Sequence, residues 1–240
     1  MKLKNVIQMS FAVLLVSFWY RDELPKDINV HPDIMQEPSQ TLIKRSEFSV
    51  NVDGNNYFIQ PKYDYELYGL VVSYRHHNSD TGAHSRWGDH LNVADYCVIW
   101  SENVYGPLLA EIEFWNQEWT CYTKSDNREA FLRFDGSKLS NNHLITENNS
   151  IRDAIKEIGI GDQIRIKGWL SSYRSTDNLI RGTSTVRTDI GNGACETIYV
   201  NEVEILSDYT SPWRTAMYFS LVIFLLSLIY HFRRPYKTSH

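Results

Sequence analysis

The chain has 240 residues, 42% apolar and 13% aromatic, enough to build a real core as one substantial domain or two small ones. Basic residues gather at the two ends. With Lys2, Lys4, Arg214, Arg233, Arg234 and Lys237 set aside, 18 basic residues face 29 acidic ones in the middle, a net charge of −11. Such a domain is badly suited to neutralising a phosphate backbone, so nucleic acid is excluded as the expected partner.

The first element is "NVIQMSFAVLLVSFWY" (Asn5 to Tyr20), free of charge and preceded by Lys2 and Lys4. It reads as an uncleaved membrane anchor over 1–20. A signal peptide needs small residues at its cleavage site, and bulky "SFWY" stands there instead. Residues 21–45 hold three of the seven prolines and no sustained periodicity, which predicts an extended tether. The β-rich domain is expected over 46–208.

Within it, "EFSVNVDGNNYFIQP" alternates, breaks at Asp53-Gly54 and resumes, a hairpin signal. Tyr65 to Arg75 predicts a long strand with Gly69 as its bulge. A polar segment follows with His76, His77, His84 and His90, and with Asp80 and Asp89 nearby. Imidazole and carboxylate are metal-ligand types, but the spacing fits no established motif, so the principal reading is a solvated loop with no cofactor. Strands are expected at "DYCVIW" and "EIEFWNQEWTCYT"; they carry Cys97 and Cys121, which could lie on neighbouring strands and pair as a disulfide.

The segment "SIRDAIKEIGIGD" predicts a helix of about eight residues, with Ser150 as its cap and Ile151, Ile155 and Ile158 as its buried stripe. Two strands come after it, "DQIRIKGWLSSYR" and "CETIYVNEVEIL". Several strands, one helix, then two strands resembles a small OB-like β-barrel, so the fold class is mainly β, with the domain flanked by two transmembrane helices. The connection between the last two strands is a common ligand-binding edge of that fold. Here it offers Arg181, Thr183, Ser184, Arg187, Asp189, Gly191 and Gly193. No phosphate-cradling glycine motif is present.

Cys195 follows that loop. It could be a packed residue, a disulfide partner, or a nucleophile activated by His143 of "KLSNNHLI". The closing element, Thr215 to Phe232, is 18 residues without a charge and would span about 27 Å as a helix, close to the roughly 30 Å of a bilayer core. A transmembrane helix over 214–232 and a basic tail over 233–240 are therefore expected. The basic flanks predict both termini in the cytoplasm and the middle domain outside it.

The phrases "ELYGLVVS", "SNNHLI" and "GNGACETIYV" resemble two-span envelope proteins of Gram-negative bacteria. The resemblance implies an inner-membrane protein with a periplasmic domain, and it brings no activity with it. The function expected is a membrane-anchored binding module for another envelope protein or a small ligand, with the lipid bilayer as a second partner and Trp87, Trp115 and Trp119 as interface anchors. A cysteine-dependent hydrolase using Cys195 and His143 is the alternative, and metal binding by the His-rich segment a further one.

Overall fold

The computed structural model describes residues 2–24, 28–78, 82–117, 119–177, 179–191 and 194–234. The chain divides into two compact units, Met1–Leu24 with Thr210–His240, and Pro25–Tyr209.

The first unit is a pair of helices, Leu3–Tyr20 and Pro212–Arg233, with mean hydropathies of 1.3 and 1.8. Both are long and apolar enough to cross a membrane. Phe11 meets Phe224 and Tyr20 meets Trp213, each at 5.3 Å between ring centroids, so the helices run antiparallel. Their buried residues are all serines: Ser10 and Ser17 on one helix, Ser220 and Ser227 on the other. Small residues seven apart let two backbones approach closely, which is how apolar helices pack where lipid removes the hydrophobic drive. Ser10, Ser220 and Ser227 return their hydroxyls to carbonyls three residues back, whereas the buried Ser17 hydroxyl has no hydrogen-bond partner.

Among its described residues the second unit holds ten strands: β1 Ser39–Leu42, β2 Phe48–Val52, β3 Asn55–His76, β4 Asn92–Ile99, β5 Glu113–Gln117, β6 Thr120–Lys124, β7 Leu139–Ile145, β8 Gln163–Ser175, β9 Ile180–Arg181 and β10 Cys195–Ser207. Asp53 and Gly54 take positive φ values of 51° and 81°, as a two-residue hairpin turn between β2 and β3 requires. β3 is twice the length the sequence suggested. Its first part pairs with β8 (Tyr57 opposite Ser175, Leu70 opposite Gln163), and its end pairs with β4 (Leu70 opposite Ile99, His76 opposite Ala94). The register shift expected at Gly69 falls between Val71 and Ser73 instead. Gly69 is needed for space: a Cβ there would lie 2.3 Å from Val98 Cγ1.

The remaining pairings run β4 with β7 antiparallel, β7 with β10 parallel, and β10 with β8 antiparallel. Since β8 also pairs with β3, these five strands are joined in a cycle. Tyr57, Ile59, Leu91, Ile145 and Tyr173 are buried together, each worth about 1.5–3 kcal/mol where an aliphatic or aromatic side chain leaves water.

The helix between β7 and β8 is Asn149–Glu157. Its cap is Asn148, whose side chain accepts from the Ser150 and Ile151 N–H groups, so Ser150 sits inside the first turn and does not cap it. Ile155 and Ile158 are buried as the stripe predicts. Tyr96 of β4 donates its hydroxyl to the Ile155 carbonyl and ties the helix down. Other short helices occupy Gly82–Arg86, Gly106–Leu109 and Arg128–Arg133, so it is not the domain's one helix.

The extended tether expected over 21–45 is also corrected. Pro32–Met35 forms a 3-10 turn with Ile34 fully buried, and β1 pairs with β3. The side chain of Gln163 holds this segment by accepting from the His31 N–H at 2.6 Å and donating to the Asn29 carbonyl at 2.9 Å. A proline-rich composition signals the absence of regular periodicity, which a packed irregular segment satisfies as well as a free one. The β5–β6 hairpin is a separate two-stranded sheet. A disulfide links Cys121 of β6 to Cys97 of β4, with Cα atoms 5.8 Å apart.

Candidate functional site

Three neighbouring strands place the site. Asn141 of β7 is opposite Cys97 of β4 and opposite Cys195 of β10, and His143 is opposite Asp95 and Thr197 in the same way. Residues two apart in a strand point to one face, so Asp95, Cys97, Asn141, His143, Cys195 and Thr197 form two adjacent rows on a single face. Register alone thus gathers a carboxylate, an imidazole and a thiol from positions far apart in sequence.

Asp95 is fully buried, and its Oδ1 lies 2.6 Å from His143 Nδ1. Asn92 Nδ2 donates to the same oxygen at 3.0 Å. Burial alone would discourage a charge on His143, but the Asp95 carboxylate and its hydrogen bond outweigh that, with Cys195 acting in the same direction, and hold the imidazole up to about 10. Burial likewise opposes ionisation of Asp95, yet His143 and His77 together keep it well below the usual carboxylate range. The Cys195 thiol accepts from Asn141 Nδ2 at 3.6 Å and lies 3.4 Å from the Trp119 carbonyl oxygen.

A cavity of about 330 Å³ opens over this row, lined by Trp119, His143, Arg181, Thr183, Cys195 and Thr197 among others. The Arg181 guanidinium stacks 3.7 Å from the Trp119 ring centroid. Thr183 Oγ1 accepts from the Thr197 N–H at 2.9 Å, and the Ser184 N–H donates to the Cys195 carbonyl at 2.8 Å, so the loop is fastened to β10 on both sides of the thiol.

Of the loop residues singled out in the sequence, Arg181, Thr183 and Ser184 reach this cavity. Arg187 turns elsewhere: it stacks on Trp100 at 4.3 Å and pairs with Glu37 at 3.5 Å and Glu196 at 3.7 Å. Asp189 and Gly191 line a second cavity of about 650 Å³, which also reaches Cys121 and Cys195. Gly193 and Asp80 lie outside the described residues. Burial pushes the Glu196 carboxyl up to about 7 against the pull of Arg187.

The His-rich segment is not a solvated loop. His77 and His84 are buried, with rings stacked at 3.6 Å between centroids. His77 Nε2 is 3.1 Å from Asp95 Oδ2, and His84 Nδ1 is 3.3 Å from Asp89 Oδ2. Asp89 also accepts from the Tyr173 hydroxyl at 2.8 Å and lies 3.6 Å from Arg181. His76 stands apart, 3.0 Å from the Tyr96 hydroxyl and lowered to about 4 by burial. The His90 backbone N–H donates to Tyr57.

Asp95, Asn92 and Tyr173 escaped the sequence reading. The signal for Asp95 was a charged residue inside "NVADYCVIW", a strand buried at every position, two residues from a cysteine. A charge held at such a position must have a partner. Trp87 and Trp115 are exposed at 44% and 37%, whereas Trp119 roofs the cavity. Comparison of the chain with family models, curated proteins and solved structures finds no match.

Proposed function

We propose that this is an inner-membrane protein of a bacterial envelope whose middle domain, an OB-like β-barrel outside the cytoplasm, binds a small acyl- or peptide-like ligand and attacks it through Cys195. The OB-like reading is supported by the cycle of β3, β4, β7, β10 and β8 with one helix between β7 and β8. Lys2, Lys4, Arg233 and Arg234, flanking the two apolar helices, favour cytoplasmic termini. A Cys97–Cys121 disulfide suits an oxidising compartment for the middle domain.

The observation that carries the reaction is His143, bonded through Nδ1 to a buried carboxylate and lining the same cavity as the Cys195 thiol of the neighbouring strand. This is the arrangement of a thiolate–imidazolium pair: a cationic ring beside the sulfur, and a third group that holds the ring's charge and orientation. With His143 held as the imidazolium, Cys195 attacks as the paired thiolate: Sγ forms a bond to the carbonyl carbon while the carbonyl π pair moves to oxygen. The tetrahedral species collapses, the leaving group departs with the proton from His143, and a thioester remains. Water then attacks, its proton going to His143 while Cys195 departs as the thiolate. Arg181, on the wall of the cavity, supplies positive charge beside the developing oxyanion.

A second reading keeps the cavity and omits the covalent step: a binding module for a ligand or an envelope partner. The exposed Trp87 beside Arg181, 5.7 Å from its guanidinium carbon, favours it.

Thiol labelling separates the readings and checks the compartment as well. Iodoacetamide at pH 7 should modify Cys195 in the purified full chain about tenfold faster than in the folded His143→Gln variant, and a membrane-impermeant maleimide should label it in intact spheroplasts. Equal rates in the two proteins would leave only the binding reading. Labelling confined to lysed cells would place the domain in the cytoplasm.

A further inference from the structure

We propose that His77, His84 and Asp95 form a site for one divalent cation of zinc-like preference. One ligand atom from each of the three lies within 4.8 Å of the others, and all three residues are buried. They come from three places: His77 just beyond β3, His84 on the Gly82–Arg86 turn of helix, and Asp95 in β4. Two imidazole nitrogens and a carboxylate oxygen are the donors of three-ligand zinc sites, which leave a fourth position for water.

The second observation is what these atoms lack. His77 Nε2, both ring nitrogens of His84 and Asp95 Oδ2 are each shielded from solvent without an aligned hydrogen bond, although they lie close together. A buried polar atom left unpaired costs about 1–3 kcal/mol, and four around one point are a heavy load for a fold to carry. A cation among them satisfies three at once. The two rings stack at 3.6 Å, which holds them side by side, and a metal ion takes each imidazole in its neutral form.

The surroundings are arranged as a ligand shell requires. Asp89 Oδ2 stands beside His84 Nδ1, leaving Nε2 for the ion. Asp95 offers Oδ2 to the ion because Oδ1 is engaged by His143 and Asn92. Carboxylates and amides that orient ligands in this way tune affinity at metal centres. Tetrahedral coordination with bonds of about 2.0–2.2 Å brings ligand atoms to about 3.4 Å apart, a small closure from the present spread within 4.8 Å. The site does not depend on the thiol reading; the two share Asp95.

The test uses the full chain in mild detergent, stripped with a chelator and titrated with zinc chloride by calorimetry. Saturation near one ion per chain is expected, weakened at least about tenfold in His77→Gln and in His84→Gln, and unchanged in His90→Ala and Cys195→Ser. No saturable binding, or binding retained in both His77→Gln and His84→Gln, would overturn the proposal. Cobalt(II) gives a check that needs no variant. The unaltered protein should show the strong visible bands of a four-coordinate site and no sulfur-to-metal charge-transfer band. A charge-transfer band would place a cysteine on the ion and refute the ligand set.

Discussion

Residues 76–90 and residues 181–195 look alike as sequence: both are polar, glycine-containing and free of regular periodicity. They end differently. The first turns His77, His84 and Asp89 inward against buried carboxylates, a tyrosine and an arginine, while the second lies along the surface and is tied to β10 mainly by hydroxyl and backbone hydrogen bonds. What separates them is the strand that each one meets. The first packs over β4, which carries Asp95, so its imidazoles gain charged partners that offset their desolvation. The second meets Thr197 and the backbone of β10, which offer hydrogen bonds and no buried charge beyond Glu196.

That contrast can be broken at its charged end first. Asp95→Ala removes the group shared by His77 and His143, leaving two buried imidazoles facing an apolar gap; a loss of about 3–5 kcal/mol is expected in denaturant unfolding of the solubilised chain. A loss below about 1 kcal/mol would show that the segment holds itself together without the carboxylate.

Next comes Glu196, the one buried charge on the surface-loop side. Its carboxyl is raised from the usual 4.5 to about 7, so the folded chain holds a proton that the unfolded chain has already released. Stability should therefore fall as pH rises from about 4.5 to about 7, by about 3 kcal/mol, and stay low above that. Glu196→Gln should flatten this slope and be the more stable protein at pH 8, as read from melting temperature against pH. An unchanged slope would mean that other groups set it. The smallest effect belongs to Thr183→Val, which removes the acceptor for the Thr197 N–H and a donor to the Ser184 carbonyl. A cost of about 1 kcal/mol is expected, seen as a drop of about 2–4 °C in melting temperature.

Local chemistry announced much of this architecture. Asp53-Gly54 marked its hairpin, the isoleucine stripe marked its helix, and two charge-free runs marked the terminal helices. Each of those signals is a property of adjacent residues. The site is not. Asp95, His143 and Cys195 meet because three strands align in register, one pair of them parallel, and register across 100 residues has no local signature. The tether was misread for a related reason: Ile34 is buried by a distant sheet that its own neighbours do not reveal. The His-rich segment shows the same failure, because a run of histidines looks solvated until the acids facing it are known.

The disulfide from Cys97 to Cys121 has a consequence for the frame of the cavity. Cys121 is two residues from Trp119, whose carbonyl oxygen accepts from Asn141 at 3.1 Å and lies over the Cys195 sulfur. The cross-link therefore pins the lid of the cavity to the same strands that form its floor. The loop side is held by hydrogen bonds such as that of Thr183 to the Thr197 N–H, and by the Arg181 guanidinium 3.7 Å from the indole centroid. Arg181 and Thr183 line the same cavity as Cys195, so the guanidinium is a charge on its wall.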